Sequence, residues 1–120
     1  MIVLPEVDPA RIEEERLANL EVLADLKENG DKPELIRSVD VSFRGDDAAL
    51  DRLEEDAEEL GLRVIEREES DDGVFLFLER EQTADEASIA ALTLLCLQIE
   101  LEFDVEFDGW GCTAETGLIH

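Results

Sequence analysis

The chain has 120 residues, 44% of them hydrophobic, a length that suits one domain with a single core rather than two. Its 34 acidic and 10 basic residues give a formal net charge of -24 at pH 7. This charge argues against direct binding to nucleic acid or to an anionic membrane, because both require a basic patch. It fits either attraction of a basic protein partner or adaptation to high salt, and net charge alone does not choose between them.

The chain shows no sign of membrane insertion or of a metal-binding cysteine cluster. Its N-terminal apolar run ends at Pro5, and no later apolar stretch reaches the length needed to span a bilayer. Cys96 and Cys112 lack metal-ligand spacing and are most simply free thiols in a reducing compartment. We therefore expect a cytoplasmic protein without a metal or cofactor.

The first part of the sequence predicts a helix followed by a strand. Asp8 and Pro9 suit an N-cap and a first helical position, so a helix is predicted over about residues 9–29. Its predicted apolar face consists of Leu17, Leu20, Leu23 and Ala24. Residues 35–44 alternate apolar and polar positions, which predicts a strand with one buried face formed by Val39, Val41 and Phe43.

The middle of the sequence predicts a helix, a hairpin and another helix. The helix is expected to span about residues 46–61, with an apolar face of Leu50, Leu53, Ala57 and Leu60. Strands at residues 62–68 and 74–80 flank a turn and form the hairpin. Thr83 and Glu86 have the spacing of a capping box, which predicts the start of the last helix.

Residues 103–112 follow that helix and combine a strict apolar and acidic alternation with the only tryptophan of the chain. In a strand, one face would carry Phe103, Val105 and Phe107, and the other Asp104, Glu106 and Asp108. Gly109 predicts a turn or bulge, and Trp110 a large anchor beyond it. The segment is therefore predicted to be the final strand.

The predicted order gives an α+β fold with a ferredoxin-like βαββαβ layout, preceded by an extra N-terminal helix. In that layout the sheet is antiparallel with strand order 4-1-3-2, and both crossover helices cover one face. We expect a single domain over residues 1–120, with its βαββαβ core at about residues 35–112.

The other face of the sheet is left uncovered by this layout. Residues 74–78 are all apolar, so either Phe75 and Phe77 or the three residues between and beside them look out of that face. The last helix is also apolar on most sides, so one of its faces must meet the first helix or a second subunit. A protein partner or a homodimer would cover such surfaces.

Catalytic and metal-binding motifs are missing from the sequence. It has no tyrosine, its one histidine is His120, and it contains neither a phosphate loop nor a nucleophile elbow. Asp104, Glu106, Asp108, Gly109 and Glu115 match positions of a calcium-binding loop, but the apolar alternation favours a strand over that loop. We therefore predict a protein that is not an enzyme.

Residues 103–111, Phe-Asp-Val-Glu-Phe-Asp-Gly-Trp-Gly, closely resemble the C-terminal signature of the bacterial regulator of ribonuclease E activity B family. The Asn29-Gly30-Asp31 helix end and residues 57–64, together with the order of the elements, are also similar to that family. The resemblance implies a ferredoxin-like fold and a small acidic protein that binds the RNA-degrading endonuclease and reduces its activity. It implies no catalytic residues.

Our leading hypothesis is a protein-binding regulator that meets a basic region of a ribonuclease. Its candidate binding residues are Phe75, Phe77, Asp104, Glu106, Asp108 and Trp110. The acidic members of this set have a second interpretation, since charges on an edge strand also prevent unwanted strand pairing. The alternative hypotheses are a small-molecule-sensing regulatory domain of βαββαβ topology, and RNA binding through Phe75 and Phe77, which the net charge opposes.

Overall fold

A computed structural model describes residues 2–115 of the chain. Within them the elements are α1 (Pro9–Glu28), β1 (Arg37–Gly45), α2 (Asp47–Asp56), β2 (Arg63–Ser70), β3 (Gly73–Gln82), α3 (Glu86–Phe103) and β4 (Glu106–Gly111). The four strands form an antiparallel sheet in the order β2-β3-β1-β4. This is the predicted order counted from the opposite edge, so the α+β fold, the ferredoxin-like layout and the N-terminal helix are confirmed.

An aspartate caps the N-terminus of each of these helices. The side chains of Asp8 and Asp46 accept hydrogen bonds from the Ala10 and Ala49 amides at 3.0 and 2.7 Å, and Asp8 is the cap predicted for α1. The predicted capping box was wrong, because Asp85 and not Thr83 is the N-cap of α3. A charged carboxylate is the stronger acceptor, and Asp85 accepts the Ser88 amide, so α3 begins at Glu86.

The core lies between the sheet and the helices. Cross-strand neighbours Val41 and Leu78, and likewise Phe43 and Leu76, point to the helix side and are at most 1% exposed. They pack with buried side chains of α2 and α3, among them Leu50, Leu53, Ile89, Leu92, Cys96 and Ile99. Each such large side chain contributes about 1.5–3 kcal/mol by its removal from water, so this side of the sheet is firmly fixed.

Helix α1 packs on α3 through a different face from the one predicted. Leu17 is 53% exposed and Ala24 is also exposed, whereas Asn19 and Leu26 are buried and Leu23 is partly buried. The packed face thus runs through positions 19, 23 and 26, and Leu20, at 37% exposure, is outside it. Asn19 can be buried there because its side chain has hydrogen-bond partners on the neighbouring elements.

The final strand is shorter than predicted. Helix α3 continues to Phe103, Asp104 follows in the left-handed conformation with φ 55°, and β4 begins only at Glu106. Phe103, Val105 and Phe107 are nevertheless all buried, so the predicted alternation of burial is confirmed although only Phe107 lies in the strand. The predicted bulge is also present, because Phe43 pairs with Phe107 and Ser42 with Gly109, which leaves Asp108 as the extra residue.

Candidate functional site

The side of the sheet opposite the helices is the candidate site, and we call it the open face. In an antiparallel sheet, residues directly opposite on adjacent strands share a face and their Cβ atoms lie about 4.5–5.5 Å apart. The strand register therefore defines three rows across the open face: Glu68, Phe75, Arg44 and Glu106; Glu66, Phe77, Ser42 and Gly109; and Arg63, Glu79, Asp40 and Gly111.

Two phenylalanines lie at the centre of the open face. Of the two alternatives left by the sequence, the structure selects Phe75 and Phe77, because Leu76 and Leu78 are fully buried on the helix side. Both phenylalanine rings remain partly exposed to solvent. Neighbouring apolar rings on an uncovered sheet are the kind of anchor that protein interfaces use.

Carboxylates surround these rings, and they are of two kinds. Glu106 and Glu79 form ion pairs with Arg44 and Arg63, which lie on the same face. Asp40, Glu66 and Glu68 make no ion pair within residues 2–115. The pKa of Asp40 is raised because its carboxylate is partly desolvated and because the Glu79 carboxylate is nearby. The open face therefore has a surplus of negative charge.

Three of the six predicted site residues lie on the open face, and the other three lie elsewhere. Phe75, Phe77 and Glu106 share the open face, whereas Asp104 caps α3 and Asp108 is an exposed bulge residue at the sheet edge.

Trp110 lies on the helix side of the sheet, where it is opposite Val41. Its indole Nε1 donates a hydrogen bond to Asn19 Oδ1 at 2.8 Å, and Asn19 Nδ2 donates to Thr93 Oγ1 at 3.0 Å. This bridge connects β4, α1 and α3. Asn19 was not predicted from the sequence, where its only signal is a polar residue among the leucines of α1.

The structure also contains a buried ion pair that was not predicted from the sequence. Arg37 and Asp31 form it with side chains that are 1% and 2% exposed. The Arg37 guanidinium also donates to the carbonyls of Lys32 and Leu35, and Asp31 Oδ1 accepts the Glu115 amide at 2.7 Å. The pair thus holds the α1–β1 connection against the segment that follows β4, which is a structural role.

A groove lies between α1 and α3 on the outside of the helix layer. It contains two shallow concavities of about 420 and 320 Å³. Their mainly apolar lining includes Leu20, Leu23, Pro33, Ala84, Ala87 and Ala90. The concavities of this groove are of a size that a small molecule could enter.

The described part of the chain gathers no set of three or more histidine, cysteine or acidic residues that could hold a metal ion. The residues that matched a calcium loop are divided between the end of α3, strand β4 and the segment after it. Burial raises the pKa of the Cys96 thiol, so this cysteine has the properties of a core residue. His120 lies outside the described residues. None of the helices in residues 2–115 is both long and apolar enough to cross a membrane.

Fold and site together define an acidic α+β protein with a ferredoxin-like layout and an open sheet face that carries aromatic and acidic side chains. The family model described as Regulator of ribonuclease activity B matches residues 16–112. Because the match covers most of the chain, the protein belongs to this family, and the resemblance predicted from the sequence is confirmed. No curated protein matches the chain at a significant level.

Proposed function

We propose that the protein is a non-catalytic regulator that binds ribonuclease E, lowers its activity and so modulates RNA turnover in the cytoplasm. The observation that carries this proposal is membership of the Regulator of ribonuclease activity B family, whose model spans both crossover helices and all four strands of the sheet. We propose further that the chain acts as one domain.

The open face supports protein binding as the means of regulation. Phe75 and Phe77 supply apolar anchor groups, and the surrounding carboxylates favour a basic region of the partner. The net charge of -24 would raise the association rate with a basic surface and would repel RNA. A protein of this kind would act on the nuclease rather than on its substrate.

The test is a cleavage assay with purified ribonuclease E from the same organism and a fluorescent single-stranded RNA. We expect the protein to lower the cleavage rate in a saturable way, to bind the nuclease in a pull-down at moderate salt, and to leave the RNA intact when the nuclease is absent. An unrelated protein of similar size and charge is the control for inhibition by charge alone. Absence of both binding and inhibition would contradict the proposal.

The groove between α1 and α3 supports a second candidate, a small-molecule-sensing domain. Its two concavities are mainly apolar and are bordered by charged groups such as Lys27, Asp31 and Glu86. This function predicts a rise in melting temperature with a metabolite and a dimer in solution. A metabolite screen by thermal shift, followed by sedimentation, distinguishes it from the ribonuclease regulator.

A further inference from the structure

We propose that Phe77 and the carboxylates around it bind an arginine side chain presented by a basic segment of a protein partner. This inference rests on the proposed function for the existence of a partner, and it adds the chemistry by which the open face recognises that partner. The binding group is the Phe77 ring together with the carboxylates of Glu66 and Asp40, neither of which is ion-paired in the described part of the chain.

The register of the sheet places these groups around one ring. Glu66 is directly opposite Phe77 on β2, and Glu79 is two residues along β3 on the same face. Asp40 is opposite Glu79 on β1 and is therefore a diagonal neighbour of Phe77. Diagonal neighbours lie about 7–8 Å apart, within reach of long side chains. A cation above the ring would thus have the Glu66 carboxylate beside it, and a long cationic side chain could also reach the Asp40 carboxylate.

The face beside Phe77 has room for an incoming side chain. Its neighbour on β1 is Ser42, and the next position in that row is Gly109, which has no side chain. A Cβ atom built on Gly109 would meet nothing within 4 Å. Gly111, opposite Asp40, also has no side chain, and the Asp40 carboxylate lies over it, with its oxygens 3.5 and 3.6 Å from the position of a Cβ atom built there. An extended segment of a partner could lie over β4 and point a side chain toward Phe77.

The charge state of the site distinguishes it from its surroundings. Arg44 neutralises Glu106 and Arg63 neutralises Glu79 on the same face, whereas Glu66 and Asp40 make no ion pair within the described residues. The raised pKa of Asp40 reflects desolvation and repulsion by Glu79, and the attraction of a bound cation would offset both by favouring the charged carboxylate. The row of Phe75 is less suitable, because it already contains Arg44.

Arginine is the group that fits this site. A guanidinium is planar, stacks on an aromatic face and forms paired hydrogen bonds with a carboxylate, so one side chain can use both the ring and Glu66. A second copy of this chain is disfavoured, since each copy carries a net charge of -24. Nucleic acid is disfavoured by the same charge, because phosphates would face carboxylates.

The experiment measures binding of the full chain to a fluorescent dodecapeptide that alternates arginine with serine, by anisotropy at 0.15 M salt. The same peptide with citrulline in place of arginine keeps the shape and lacks the charge. We expect Glu66→Gln and Phe77→Leu each to weaken binding about 3- to 30-fold, the range typical of a charge-assisted or cation–π contact. The citrulline peptide should not bind measurably.

Glu21→Gln is the matched control, since Glu21 is an exposed residue of α1 and its loss changes the net charge by the same amount. We expect this variant to change peptide affinity less than about 2-fold, because salt screens a charge on α1 from a peptide bound at the open face. Equal weakening by Glu66→Gln and Glu21→Gln would overturn the inference, because it would show attraction by net charge alone. Full affinity in Phe77→Leu, or a dimer in wild type that this substitution dissociates, would also overturn it.

The peptide measurement separates this inference from the function proposed above. Inhibition of ribonuclease E that is unaffected by Glu66→Gln and Phe77→Leu would leave the regulator proposal standing and overturn the arginine site. Specific peptide binding without any effect on the nuclease would support the site and contradict the regulator. Thermal melts of each variant establish that it is folded, and Glu66→Gln, an exposed change, keeps the test valid if Phe77→Leu fails to fold.

Discussion

At the scale of single residues, Trp110 contributes to the fold rather than to the open face. It is the only tryptophan, and its indole reaches Asn19 across 91 positions of sequence. The Asn19 amide in turn donates a hydrogen bond to Thr93, which is 74 positions away from it in the sequence. The buried Asn19 amide thus donates one hydrogen bond and accepts another. These two bonds fix the position of α1 on α3 and β4.

We predict that Asn19→Ala lowers the free energy of unfolding by about 1–3 kcal/mol, because it leaves the indole N–H and the Thr93 hydroxyl without this partner. Urea unfolding followed by the fluorescence of Trp110 measures the effect. The control is Glu21→Ala, an exposed change on the same helix, which should stay within about 0.5 kcal/mol of wild type. An Asn19→Ala variant as stable as this control would show that the bridge contributes nothing.

These residues also show where sequence reasoning ends. Period-two alternation correctly predicted that Phe103, Val105 and Phe107 are buried. It could not show that Asp104 ends α3 in the left-handed conformation. A helix end followed by a short strand buries positions 103, 105 and 107 just as one continuous strand would. The partners of Asn19 and Trp110 were beyond prediction, since contacts between distant positions depend on how the elements pack.

At the scale of elements, the type and order of the strands and helices were predicted correctly, although α2 ends at Asp56 and not near residue 61. The error at the start of α3 is informative. Two acceptors compete there, the Thr83 hydroxyl and the Asp85 carboxylate. The carboxylate accepts the Ser88 amide at 3.1 Å, the Ser88 hydroxyl at 2.8 Å and the Thr83 hydroxyl. The charged acceptor is the helix cap, and the threonine becomes one of its donors.

The pKa of Asp85 gives a prediction for this cap. Hydrogen bonds from Thr83 and Ser88 lower the pKa to about 2 in the folded protein. Because the folded pKa lies below the unfolded value of about 3.9, the cap stabilises the protein at neutral pH and loses this contribution as the pH falls from about 4 toward 2. We expect Asp85→Ala to lower the free energy of unfolding by about 1–2 kcal/mol at pH 7 and by less near pH 2.

Asp85→Asn is the control for this cap, since asparagine keeps an acceptor oxygen but does not titrate. The difference between Asp85→Ala and Asp85→Asn should therefore not depend on pH. Urea unfolding at a series of pH values measures both differences. A gap between wild type and Asp85→Ala that stays constant from pH 7 to pH 2 would show that the charge of Asp85 is not what stabilises the helix end.

At the scale of the whole molecule, one side of the sheet forms the core with the helices and the other side is open to solvent. Both crossover helices and α1 lie on one side of the sheet, and Phe75, Phe77 and the carboxylates of Asp40, Glu66 and Glu68 lie on the other. Many of the arginines are already bound to carboxylates, including Arg11, Arg16, Arg37, Arg44, Arg63 and Arg67. The remaining negative charges repel each other, which costs stability and attracts basic partners at the same time.

These two consequences of the charge respond to salt with opposite signs. The screening length falls from about 10 Å at 0.1 M salt to about 3 Å at 1 M. We therefore predict that the free energy of unfolding in urea at pH 7 rises as KCl increases from 0.05 to 1 M, while the association rate with a basic partner falls. Stopped-flow binding of the arginine peptide and urea titrations at the same KCl concentrations measure both.

The control uses the isoelectric point of the chain, which is about 4.1. At that pH the net charge is near zero, so the part of the salt effect that comes from self-repulsion should disappear, and only the general strengthening of apolar contacts by salt should remain. An equal rise in stability at pH 7 and pH 4.1 would exclude self-repulsion as its cause. Stability that rises through 1 M KCl, with peptide binding already lost at 0.2 M, would favour salt adaptation as the origin of the charge. Specific binding that persists at that higher salt would show that the contacts of the open face, and not the long-range field alone, hold the partner.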